Sequence, residues 1–69
     1  MDKQEKLSKL RDLRIQRGLT QEKVAKQMGV SRVTYTRWEC GLVSPSIQEV
    51  IKLADFFGVS VDCLLGRTE

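Results

Sequence analysis

Gln21-Glu22-Lys23-Val24-Ala25-Lys26-Gln27-Met28-Gly29-Val30-Ser31-Arg32-Val33-Thr34-Tyr35-Thr36-Arg37-Trp38 is the stretch on which the fold turns. It reads as two helices joined by a turn of about three residues, Gly29-Val30-Ser31, in which Gly29 supplies the positive φ that a tight turn demands. Ala25 is small where one helix must cross the other closely. Val24, Met28, Val30, Tyr35 and Trp38 form an apolar wedge that fixes the angle between them. An ordinary helical hairpin needs apolar residues. It does not need a small residue and then a glycine four positions on, followed by Val-Ser.

Helical punctuation continues on both sides. Upstream, a helix is expected from about Glu5 to Arg17, with Leu7, Leu10, Leu13 and Arg14 along one side and Gly18 as its left-handed stop. Thr20 caps the next helix, although Lys23 stands where a capping-box Glu would be. Ser31 caps the third, which ends near Cys40-Gly41, and Gly41 to Pro45 form a loop. Ser46 and Glu49 make a full capping box for a fourth helix, with Ile47, Val50, Ile51, Ala54 and Phe57 as its expected inner face and Gly58 as its stop. Ser60 caps a short fifth helix from Val61 to Leu65, and Gly66 ends it. No segment sustains strand alternation. The expected fold is all-α: five short helices on one core, a single domain over residues 1–69 with its core in 5–66.

Composition narrows the function classes. In 69 residues there is no apolar run near the roughly 18 of a membrane span, and the charged start Met1 to Lys6 is unlike a signal peptide, so a cytoplasmic protein is expected. Cys40 and Cys63 have no CxxC spacing and the chain has no histidine, so no zinc site is expected and both cysteines read as free thiols. Without histidine, catalysis needs a Cys, Lys or carboxylate constellation, and none is present; neither an enzyme nor a cofactor is expected. The net charge of +3 is modest, but residues 1–40 carry ten Lys/Arg against five Asp/Glu, whereas 41–69 carry two against four. The N-terminal part is the candidate face for a polyanion, and the C-terminal part suits packing or pairing.

Leu13-Arg14, Gly18-Leu19-Thr20-Gln21-Glu22, Val24-Ala25, Gly29-Val30-Ser31-Arg32, Trp38-Glu39, Gly41, Pro45-Ser46, Leu53-Ala54 and Gly58-Val59-Ser60-Val61-Asp62 together resemble the phage-repressor and Cro type of helix-turn-helix regulator, the xenobiotic-response-element family. The likeness spans about residues 7–66. It implies five helices, the third in the major groove of duplex DNA and the second lying across the backbone.

The residues agree on which side of the third helix faces out. At about 100° per residue, Tyr35 and Trp38 define the buried side. Val33, Thr36, Arg37 and Cys40 then point away, with Arg32 flanking. Arg32, Val33, Thr36 and Arg37 are the expected base-reading set: arginine forks onto guanine O6/N7, and valine meets a thymine methyl. Gln21, Thr34, Ser44 and Ser46 are the expected backbone contacts. Gln21 opens a helix N-terminus, and the resemblance implies that the matching glutamine clamps a phosphate. The resemblance also implies a largely buried ion pair between Arg14 and Glu39, read as structural. Family members often carry Lys or Arg after Gly41, where this chain has Leu42 and Val43. Leu42, Val43, Val61, Cys63 and Leu64 are the expected homodimer patch. The expected function is a transcriptional regulator, a repressor by analogy, bound as a homodimer to a palindromic operator. The alternative is an antitoxin or interaction module that captures a partner protein with the same patch.

Overall fold

The computed structural model describes residues 7 and 9–66. Five helices follow in order: α1 (Leu10–Gln16), α2 (Gln21–Met28), α3 (Arg32–Cys40), α4 (Ile47–Phe57) and α5 (Val61–Leu65), with no strand among the described residues. Four of them start as expected. The hydroxyls of Thr20, Ser31, Ser46 and Ser60 accept the backbone N–H of Lys23, Thr34, Glu49 and Cys63, satisfying donors that a helix N-terminus leaves orphaned. The capping box of Ser46 and Glu49 closes in both directions.

The first helix differs. It starts at Leu10, not near Glu5; Glu5 and Lys6 lie outside the described residues, but Leu7 and Lys9 are not helical. The Lys9 N–H donates to the Leu64 carbonyl at 3.1 Å, so this donor is spent on α5 rather than on an earlier turn of α1. Leu7 is buried in the core beside it.

Four helices end on one device. After α1, α2, α3 and α4 the chain passes through Gly18, Gly29, Gly41 and Gly58 at positive φ, and the next residue donates back across the last turn. Leu19 donates to Arg14, Val30 to Ala25, Leu42 to Arg37 and Val59 to Ala54, at 3.0–3.1 Å. This is the Schellman arrangement, in which an apolar residue after the glycine normally folds back onto the helix it closes. At Gly29 a Cβ would meet nothing within 4 Å, so its φ of 75° is what demands glycine.

The core gathers Leu7, Leu10, Leu13, Val24, Ala25, Met28, Tyr35, Trp38, Val50, Leu53, Ala54, Phe57 and Leu64. The inner face of α4 is Val50, Leu53, Ala54 and Phe57; Ile47 and Ile51, expected inside, are exposed. The apolar arc of α4 is wider than the core covers, and these two isoleucines form its uncovered edge. Arg17 ties the end of α1 to α4: its guanidinium donates to the Phe57 carbonyl at 2.7 Å and lies over the Phe57 ring. Cys40 is exposed and Cys63 half-buried, both free thiols as expected.

Candidate nucleic-acid interface

Tyr35 and Trp38 anchor α3, buried edge to face at 6.0 Å between ring centroids. This turns the rest of the helix outward. Arg32 and Arg37 are exposed, Thr36 is half-buried, and Val33 is 58% exposed. Together with Leu42 these side chains line a single open concavity of about 350 Å³. Neither arginine has an ion-pair partner among the described residues. An outward valine between two unpaired arginines suits a surface with acceptors, negative charge and apolar spots better than it suits water.

Behind this face lies a chain of polar contacts. Arg14 Nε donates to Glu39 at 2.6 Å, and Arg14 also donates to the Leu19 carbonyl at 2.9 Å. The side chains of the pair are 12% and 3% exposed, which makes it the expected buried ion pair. Its reach is longer than expected, however. The Gln21 amide donates to the same carboxylate at 3.0 Å and accepts from the Thr36 hydroxyl at 2.8 Å. Two expected DNA contacts, Gln21 and Thr36, are thus held by a structural ion pair. Thr36 spends its proton inward and offers outward only its methyl and an oxygen lone pair.

Burial alone would raise the Glu39 carboxyl, but the hydrogen bonds from Arg14 and Gln21 and the charge of Arg14 outweigh it and hold the group below its ordinary value. The Tyr35 hydroxyl is buried with no partner in hydrogen-bonding geometry among the described residues, although it lies beside Glu39. Burial first, then the neighbouring carboxylate, pushes its ionisation up. Because the folded value for Glu39 is depressed, its contribution to stability is complete above the ordinary 4.5 and is lost as pH falls through the folded value. Glu39→Gln imitates the protonated acid. The stability gap between wild type and this variant is therefore expected to narrow as pH falls below 4.5, read by denaturant titration at a series of pH values. A gap independent of pH would show that Glu39 is not specially stabilised when charged.

The other backbone candidates fall differently. Thr34 sits in the first turn of α3; its hydroxyl accepts from Ser31 at 2.9 Å and keeps its own proton to donate. Ser46 is engaged in both halves of the capping box: its hydroxyl accepts from the Glu49 N–H, and its own N–H donates to the Glu49 carboxylate, which places an acidic group at that helix end. Ser44 is exposed and borders an apolar concavity of about 290 Å³ lined by Leu7, Pro45, Ile47, Val50, Val61 and Leu65.

The structure does not bring the five residues of the expected dimer patch onto one surface. Leu64 is wholly buried and belongs to the core. Leu42 belongs to the α3 face. Val61 lines the concavity, Cys63 is half-buried, and Val43 is exposed in the loop. Sequence reading missed Ile47 and Leu65. The surplus width of the apolar arc on α4 was the available signal for Ile47.

Comparison with known proteins places this geometry. A family model described as helix-turn-helix matches residues 10–62. The chain is 47% identical over 62 residues to the cryptic phage CTXphi transcriptional repressor RstR of Vibrio cholerae, covering 90% of this chain and 56% of the relative. It is 39% identical to the HTH-type transcriptional activator BcrR of Enterococcus faecalis, over 88% of this chain and 30% of the relative. An uncharacterised HTH-type transcriptional regulator of Methanocaldococcus jannaschii is 44% identical, over 80% of this chain and 83% of the relative. The chain thus spans little more than half of the first of these relatives and under a third of the second. No solved structure matches significantly.

Proposed function

This chain belongs to the helix-turn-helix family, in the phage-repressor and Cro type that its motifs resemble, and we propose that it binds a specific duplex operator as part of a transcriptional regulator. In this reading α3 enters the major groove and α2 lies across the backbone. Arg32, Val33, Thr36 and Arg37 face the base edges. Gln21, opening α2, presents its remaining amide proton to a phosphate, Thr34 presents its hydroxyl, and Ser44 faces the backbone from the loop. The observation that carries the reading is the outer face of α3, where two unpaired arginines flank an exposed valine along one concavity. At nine residues α3 is about 13 Å long, comparable with the roughly 12 Å width of the major groove.

The regulator acts as a homodimer, and the apolar concavity with Ile47, Val61 and Leu65 is the surface that pairs. Two-fold pairing sets the recognition helices about one turn of DNA apart and makes the operator palindromic. Repression is the simplest outcome, because a small domain seated in the groove blocks polymerase, and RstR is named a repressor. The setting is the cytoplasm and nucleoid; no described helix is long and apolar enough to cross a membrane. The relatives are named as regulators, not enzymes.

Selection of bound duplexes from a random library at moderate salt tests this directly. The expected result is an enriched palindrome with half-site centres about 10 bp apart. Weak, salt-sensitive binding with no enriched sequence would instead reduce the DNA interaction to nonspecific charge. It would move the second reading, in which the concavity beside Ile47 captures a partner protein, to the front.

A further inference from the structure

Leu42 is out of place among its equivalents. Four glycine stops close α1 to α4, and each is followed by an apolar residue: Leu19, Val30, Leu42 and Val59. Leu19, Val30 and Val59 pack against the core, as the fold-back of such a stop provides. Leu42 does not. It is 71% exposed, the highest value of any large apolar side chain among the described residues, although its backbone makes the same bond to Arg37 at 3.0 Å. Its side chain instead closes one end of the concavity whose other members are Arg32, Val33, Thr36 and Arg37.

Resting on the reading of α3 as the groove-facing helix, we propose that Leu42 is a specificity-determining residue, which with Val33 forms an apolar pair that reads thymine methyl groups. Val33 lies one residue into α3 and Leu42 just beyond its end, so the pair brackets the reading face. The thymine 5-methyl is the apolar feature that a base pair shows in the major groove, where every other mark is a donor or an acceptor. The flanking arginines fix the orientation in which the pair meets base edges, since their charge belongs against guanine or phosphate. A second copy of the chain covering Leu42 would also cover Arg37 and bury its unpaired charge, which speaks against the loop as a dimer contact.

The test uses the selected operator, with each thymine replaced in turn by deoxyuridine. That change removes one methyl and leaves every hydrogen-bonding group in place. The thymine that faces Leu42 in each half-site is expected to lose about fourfold in wild-type affinity without its methyl, the factor for one buried methyl. Leu42→Ala is expected to bind the thymine duplex about fourfold more weakly per half-site and to be indifferent to deoxyuridine at that position. Val33→Ala should show the same indifference at a different thymine. The proposal is overturned if Leu42→Ala binds as tightly as wild type, if it stays as sensitive as wild type to every deoxyuridine, or if wild type ignores all of them. Arg37→Ala separates the two levels. If it loses affinity while Leu42→Ala does not, only the methyl reading falls. If no variant on the face of α3 changes affinity, the groove assignment falls and takes this proposal with it.

Discussion

Arg14→Ala is expected to lower the stability of the domain by about 3–5 kcal/mol, because it strands the Glu39 carboxylate in a nearly dry site. The Glu39 side chain is 3% exposed, and Arg14 supplies its shortest hydrogen bond. What remains to the carboxylate is the Gln21 amide, a single neutral donor. Small domains have only about 5–15 kcal/mol in all, so much of the variant should be unfolded at physiological temperature, read as lost helical circular dichroism and an early denaturant midpoint. Exchanging both partners for methionine should recover part of the loss, since an apolar pair leaves no orphaned charge. A loss under about 1 kcal/mol from Arg14→Ala would show that the pair behaves as a solvated surface contact.

Arg37→Ala is expected to leave stability nearly unchanged and to weaken operator binding about 10- to 100-fold per half-site, as the loss of a bidentate guanine contact does. The two possible contacts have different signatures. A base contact, when lost, relaxes sequence preference at one position of the operator; a phosphate contact, when lost, weakens all sequences alike and lowers the salt slope by about one. Binding of a partner protein at the concavity beside Ile47 should not change, because no residue of α3 lines that surface. Unchanged operator affinity would mean that the reading face does not lie on α3.

The parts of the fold that could be read from the sequence are those whose chemistry is local. Thr20, Ser31, Ser46 and Ser60 cap their helices through a donor three residues away, and the glycines stop them through a bond across one turn. No tertiary structure is needed to foresee either. The outward set Arg32, Val33 and Arg37 followed from the same periodicity once Tyr35 and Trp38 were assigned to the core. What escaped depends on distant segments. The start of α1 is fixed by the bond from Lys9 to Leu64 on α5, which no local pattern encodes. Leu64 looked like patch and is core, whereas Ile47 and Ile51 looked like core and are surface. Apolarity marks a helix face only to within its edges; which edge is covered depends on where the neighbouring helix lies. The line from Glu39 through Gln21 to Thr36 joins α2 and α3, and it exists only at the angle at which these two helices cross.

The hydrogen bond from Thr36 to Gln21 divides the outer face of α3 into positions free to drift and one that is not. Arg32, Val33, Arg37 and Leu42 lean on nothing in the interior, and exchanges at such exposed sites usually shift stability by no more than about 0.5 kcal/mol. On the proposed reading of α3, a lineage carrying this scaffold can therefore acquire a new operator by changing these four side chains, with folding left intact at every intermediate. Thr36 has no such liberty: a replacement without a hydroxyl abandons the Gln21 oxygen and loosens an amide that the buried carboxylate helps to hold. Inheritance of new recognition should run through the four, with Thr36 and Gln21 changing together or not at all.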